Sequence, residues 1–279
     1  MNELLPLPKC FFYTPSSQRV EYLASMPAAD RAVVFDLEDA VPPAEKDFAR
    51  TSLETVFSTH SAYVRAVRIN QLSSLQSASD LACIRRLKFK PDILIVGMVE
   101  HAEEARIIRE WLKPSKISLF ATIETPRSLM NMDGICQEFD GIIFGSGDLA
   151  ANYACGITWE NMLYARMEMV TAAAAHDIPA LDTVCFSLND PTVLEDECRR
   201  VRELGFYGKA APHPSHIPVI NRYFVPTDDA IARARKTIEL STEHAGRIFR
   251  MDGEMIGPPH VRGARELLRR ADWNIVRAL

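Results

Sequence analysis

The chain has 279 residues, 47% of them hydrophobic and 25% charged, with a formal net charge of −5. Such a composition supports a large core, and the acidic balance excludes a non-specific nucleic-acid or anionic-membrane binder. No apolar run approaches the ~18 residues of a membrane span, and MNELLPLPKC lacks the basic-then-apolar order of a secretory signal. The six cysteines are scattered without a CxxC, so reduced thiols in a cytoplasmic protein are expected.

Taken in order, residues 9–14 (KCFFYT) read as a strand closed by Pro15-Ser16-Ser17, and a helix through 20–25 follows with Ser16 or Ser17 as its cap. Residues 32–37 (AVVFDL) are apolar save for Asp36, as in a strand buried on both faces. They deliver Glu38-Asp39 before Pro42-Pro43 opens a helix to about 58. The third strand, 63–70, finishes with Arg68 and Asn70. A helix over 75–87, a strand over 93–98 ending in Met98 and a helix over 100–111 come next. Strand five, 118–123, delivers Glu124; strand six, 141–144, runs into Gly145-Ser146-Gly147 and then Asp148. A long amphipathic helix over 159–176 leads to strand seven at 178–184, which carries Asp182. A helix over 191–204 leads to strand eight at 206–211, followed by His213-Pro214. The remainder holds a helix at 228–242, a glycine-bearing turn at 251–259 and a last helix from about 262 to 272.

Eight strands alternating with helices predict an α/β fold, a TIM-type (β/α)8 barrel, over residues 1–226. A doubly wound open sheet is the rival, but the regularity of the units fits closure better. Residues 227–279 are surplus to eight units and read as a C-terminal helical extension, a lid or an arm to a neighbouring subunit.

In such barrels the chemistry gathers at the C-terminal ends of the strands. If strands five and six are parallel neighbours, Glu124 and Asp148 stand roughly 5 Å apart, strand to strand. Two hard oxygen ligands beside a glycine loop suit a Mg2+ site that leaves most positions to water and substrate. The alternative is a surface Glu124 and an Asp148 that caps a helix. Arg68 matches a substrate carboxylate with its planar fork, or else forms an ion pair with Glu38 or Asp39. Asp36 orients a metal-bound water or pairs internally with Arg or Lys. Asp182 faces the mouth or caps the next segment. His213 is a general acid or base, or a structural hydrogen-bond donor. His60, His101, His176, His216, His244 and His260 show no ligand spacing, and no GxSxG, HExxH or Walker loop is present. Gly145-Ser146-Gly147 is half of a dinucleotide fingerprint, without the third glycine.

These residues, with VVFDLEDAVPPAEK at 33–46, VRIN at 67–70, TIET at 122–125, GSGDLA at 145–150 and GKAAPHPSHI at 208–217, resemble the HpcH/HpaI aldolase and citrate lyase β-subunit family, its CitE-like branch above all. The resemblance runs from about Phe11 past Thr227. It implies a Mg2+-dependent barrel acting on carbon–carbon bonds of 2-oxo or hydroxy acids, often as CoA thioesters. It also implies Glu124 and Asp148 as metal ligands, Arg68 on the substrate carboxylate, and a homotrimer or hexamer. Four departures stand against the family pattern: Pro15-Ser16-Ser17 for Pro-Gly-Ser, Gly97-Met98 for Pro-Lys, Gly147 for a glutamate, and Gly257 for the lid aspartate of a Met-Val-Asp-x-Pro segment.

The expected function is a Mg2+-dependent carbon–carbon lyase or aldolase acting on a small acid of the oxaloacetate, pyruvate or glyoxylate type through a metal-stabilised enolate, with CoA use open. Metal-bound water positioned by Asp36 or Glu38 is the expected proton carrier, and Gly145, Ser146 and Gly147 line the substrate. The alternative is an altered CitE-like paralogue that binds a metal–dicarboxylate complex without turning it over.

Overall fold

The structure, a computed structural model, describes residues 4–16, 31–58 and 63–276. The helix expected through 20–25 lies outside the described residues, as does Ser17, one of its two candidate caps beside Ser16.

A short strand β1 (Leu4–Pro6) precedes eight parallel strands that close on themselves. These are β2 (Cys10–Pro15), β3 (Arg31–Asp36), β4 (Val64–Ile69), β5 (Ile93–Val96), β6 (Ser118–Ile123), β7 (Gly141–Phe144), β8 (Ala180–Asp182) and β9 (Gly208–Ala211). Each pairs with the next, and β2 pairs with β9 from Cys10↔Lys209 to Phe12↔Ala211, which shuts the barrel. The (β/α)8 expectation is met.

Alternation along the strands sorts side chains into two cores. Phe11, Val34, Ala66, Ile95, Phe120, Ile143 and Leu181 fill the inside of the barrel. Phe12, Val33, Phe35, Val67 and Leu94 pack outward against the helices. Keeping the count of two, Asp36, Arg68, Thr122 and Glu124 continue the inner rows at the C-terminal end. Asp182 and Lys209 fall on the outer rows.

The helices depart from expectation in detail. A 3-10 turn at Pro43–Glu45 precedes the helix Lys46–Val56, and two short helices, Pro126–Met130 and Met132–Glu138, stand between β6 and β7. Two helices missing from the sequence reading are Ser146–Asn152 and His216–Phe224. Beyond the barrel, the helix Asp228–Glu243 leads to an antiparallel hairpin of β10 (Phe249–Met251) and β11 (Glu254–Ile256), where only a turn was expected. The helix Pro258–Ala271 follows, and Phe249, Met251, Ile256 and Val261 form a small core of their own. The last strand, β12 (Asn274–Val276), pairs antiparallel with β1 across the N-terminal face of the barrel. There the Trp273 ring lies 4.9 Å from that of Tyr207, and the Tyr207 hydroxyl donates to Leu7 O at 2.6 Å. Arg269 meets Asp177 at 2.5 Å and Arg270 donates to Gly205 O at 2.8 Å, so the extension is anchored at the face opposite the mouth. Among the described residues no helix is long and apolar enough to cross a membrane.

Candidate active site at the C-terminal mouth

β6 and β7 are adjacent and parallel, with Ile123 opposite Phe144 and Gly145 N donating to Ile123 O at 3.0 Å. Glu124 and the loop that carries Asp148 therefore leave the barrel side by side, and both line a mouth cavity of about 520 Å3. Glu124 is 2% exposed. Its Oε1 accepts the Met98 N–H at 2.6 Å, and Met98 reaches that position with a left-handed φ of 51°. Its Oε2 lies over Gly145, where any Cβ would collide with the carboxyl. Burial pushes the Glu124 carboxyl up to about 7, opposed by the Met98 N–H and Arg68 and aided by Asp148. Asp148, in the first turn of Ser146–Asn152, is also raised, by burial first and by Asp39 next. Two carboxyls raised in this way favour their protonated forms, and a bound cation would favour the ionised ones.

Across the mouth, Arg68 is gripped by Asp36, whose Oδ1 accepts from Nε at 2.8 Å and whose Oδ2 accepts from Nη2 at 2.5 Å. Asp36 thus pairs internally and sets the orientation of the guanidinium. Arg68 Nη1 faces Glu38 Oε2 at 2.9 Å and Asp39 Oδ2 at 3.3 Å, and the group lies 5.3 Å from the Tyr13 ring centre. Burial pushes the Glu38 carboxyl up to about 8 in spite of Arg68. Its carboxyl occupies the space a side chain at Gly97 would fill. Gly97 and Met98 therefore act together: one makes room for Glu38, the other aims an N–H at Glu124.

Several expected residues lie elsewhere. Asp182 does not face the mouth; on its outer row it is fully buried between Arg166 Nε at 2.9 Å and Lys209 Nζ at 2.6 Å. His213 is exposed and its Nδ1 pairs with Ser215 Oγ at 2.8 Å, a local turn contact. Asn70 is buried against Lys46, Leu37 O and Asp80. Ser146 turns its hydroxyl to Thr183 Oγ1 at 3.0 Å and lines a neighbouring cavity, while Gly145 and Gly147 line the mouth. Gly257 has an extended backbone, φ −135°, with Ile248 the nearest neighbour to a Cβ at 3.5 Å, so neither sterics nor conformation requires glycine there.

Sequence reasoning missed Tyr13, Thr122 and Phe186, all lining the mouth. Thr122 Oγ1 is buried with no hydrogen-bond partner among the described residues. Counting back two from Glu124 on the same strand face would have found it. Among the described residues no group of three or more His, Cys, Asp or Glu is placed to hold a metal; of the mouth carboxylates, Asp36 and Asp39 turn to Arg68, which leaves Glu124 and Asp148 as the candidate pair.

The sequence model of the HpcH/HpaI aldolase/citrate lyase family matches residues 9–214. The chain belongs to that family. This HpcH/HpaI family member is 29% identical over 286 residues to the citrate lyase subunit beta-like protein of Deinococcus radiodurans, covering 96% of this chain and 99% of that protein. It is 27% identical over 269 residues to the (3S)-malyl-CoA thioesterase of Cereibacter sphaeroides, covering 93% of each. The solved structure of CitE from Mycobacterium tuberculosis in complex with magnesium, acetoacetate and coenzyme A superposes with a TM-score of 0.78 at 26% identity, over 95% of this chain and 98% of that one.

Proposed function

We propose that this protein is a Mg2+-dependent carbon–carbon lyase or aldolase for a small 2-oxo or hydroxy dicarboxylic acid, taken free or with a CoA thioester. The observation that carries this reading is the pair Glu124 and Asp148 at one mouth, facing an arginine held by Asp36. The donor set fits Mg2+: two hard carboxylates and no nitrogen or sulfur, with room for water and substrate oxygens. Bound there, the ion would act as a Lewis acid on a substrate carbonyl. The chain's own residues do the rest. Arg68 binds the substrate carboxylate, Asp36 keeps its fork oriented, Gly145 leaves room for the Glu124 carboxyl, and Gly147 lets the substrate lie close to the backbone. The Thr122 hydroxyl supplies a hydrogen bond to a bound oxygen, and the Glu38 carboxyl holds a proton at the mouth. Support also comes from the family and from the magnesium and acetoacetate named with the CitE relative.

A second reading, a paralogue that binds a metal–dicarboxylate complex without cleaving acyl-CoA, draws on Gly257, which stands where the family's lid aspartate is expected although a Cβ there would meet no clash. The thioesterase among the relatives adds hydrolysis as a further outcome to look for. Calorimetric titration with oxaloacetate, pyruvate and glyoxylate, in Mg2+ and in EDTA, tests the site; mass spectrometry with acetyl-CoA or CoA present tests turnover. Binding should require Mg2+ and vanish in Glu124→Gln. Metal-dependent binding without product selects the paralogue, and no metal-dependent binding overturns both.

A further inference from the structure

Beside the mouth, sharing Thr183, Val184 and Phe186 with it, lies a second cavity of about 510 Å3. It sits at the first turns of the helices Trp159–His176 and Pro191–Leu204, which contribute Trp159 and Val193 to its wall. Two guanidinium groups meet on one indole ring here. The central carbon of Arg166 is 4.8 Å from the Trp159 ring centre and that of Arg200 is 5.0 Å. Arg166 is only 5% exposed.

Each arginine is tied to a carboxylate through Nε alone: Arg166 donates to Asp182 Oδ1 at 2.9 Å, and Arg200 Nε lies 3.0 Å from Asp196 Oδ2. The terminal nitrogens of both make no hydrogen bond to protein among the described residues. The carboxylates of the wall are already matched. Glu197 meets the fully buried Lys209 at 2.9 Å, Asp196 meets Arg199 at 2.6 Å, and Asp182 behind the wall is shared by Lys209 and Arg166. Two helix N-termini add partial positive charge at the same place. A guanidinium presents its donors as a fork built for paired anionic oxygens, so two half-used forks converging on a cavity lack an acceptor. Ile157, Val184 and Val193 give the rest of the wall an apolar character.

We propose that this cavity is a binding site, separate from the metal-ligand mouth, for an organic anion: a carboxylate or phosphate on an apolar body, held by the outer nitrogens of Arg166 and Arg200 with its body along Trp159. The site stands on its own residues and does not depend on the activity proposed for the mouth. Trp159 reports on it directly, since Trp111 lies on the Glu103–Leu112 helix and Trp273 at the opposite face of the barrel.

The test is a titration of the whole protein in EDTA with hexanoate, with hexyl phosphate and with neutral 1-hexanol, followed by tryptophan fluorescence and by calorimetry. At least one anion should give a saturable signal that hexanol does not, and the preferred anion identifies the head group. Trp159→Phe should remove the fluorescence change while the calorimetric heat persists. Arg200→Gln, a partly exposed side chain whose loss leaves the barrel intact, should weaken binding at least tenfold. Arg68→Gln at the mouth should leave it unchanged. No saturable response to either anion, an equal response to hexanol, unaltered affinity in Arg200→Gln, or loss of binding in Arg68→Gln overturns the proposal.

Discussion

Glu124 is made useful by its neighbours. One oxygen is held by the Met98 N–H, the other lies above Gly145, and burial raises the carboxyl from an ordinary value to about 7. A carboxyl whose folded value is raised contributes stability below its unfolded value and loses it as pH climbs through about 7. A cation needs the ionised form and offsets that loss. Thermal stabilisation by Mg2+ should therefore be small at low pH and grow as pH rises through 7, affinity increasing roughly tenfold per pH unit below it. A differential scanning series from acid to weakly alkaline pH checks this; stabilisation that is flat with pH contradicts it. Gly97→Ala tests the other half of the turn. The new methyl occupies the seat of the Glu38 carboxyl, so we expect a loss of about 1–3 kcal/mol in urea unfolding, recovered in the double variant with Glu38→Ala. Glu124 and Arg68 were legible because they stand at the ends of strands, and Asp148 because a short glycine loop after a strand delivers it. Gly97 was not, since its need for no side chain comes from a residue two strands away in the barrel order.

Among the elements, the strand parity decides which charged groups face the mouth and which hold the wall. Asp182 was expected as a possible mouth residue because it ends a strand. Its strand is only three residues long, and the outward step turns it to Lys209 and Arg166. Asp182→Asn leaves two buried cations short of a counter-charge, and we expect a loss of about 3–5 kcal/mol, read as a fall in the urea midpoint. The His216–Phe224 helix escaped notice because Pro218 interrupts its pattern. Proline is tolerated there since the first turn of a helix has no partner for that N–H.

For the molecule as a whole, the N-terminal face is closed by both ends of the described chain. β1 and β12 pair there, and Trp273 covers Tyr207. Trp273→Ala should lower the melting temperature by roughly 4–8 °C, for about 2 kcal/mol of lost ring contact, while Mg2+ binding at the mouth stays as it was. Loss of the mouth site in that variant would mean that the two faces are coupled. The extension reads from sequence as a lid or arm, yet Arg269 and Arg270 fasten its last helix beneath the barrel.

The sequence by itself determined the barrel, its eight strands and the carboxylates and arginine near their ends, because short apolar runs and the residues that follow them are local properties. Only the tertiary structure decided that Asp36 holds Arg68, that Glu38 fills the space beside Gly97, that Asp182 serves the wall, and that two arginines share Trp159. Those outcomes depend on which residues closure of the barrel brings face to face, and that pairing joins positions tens of residues apart.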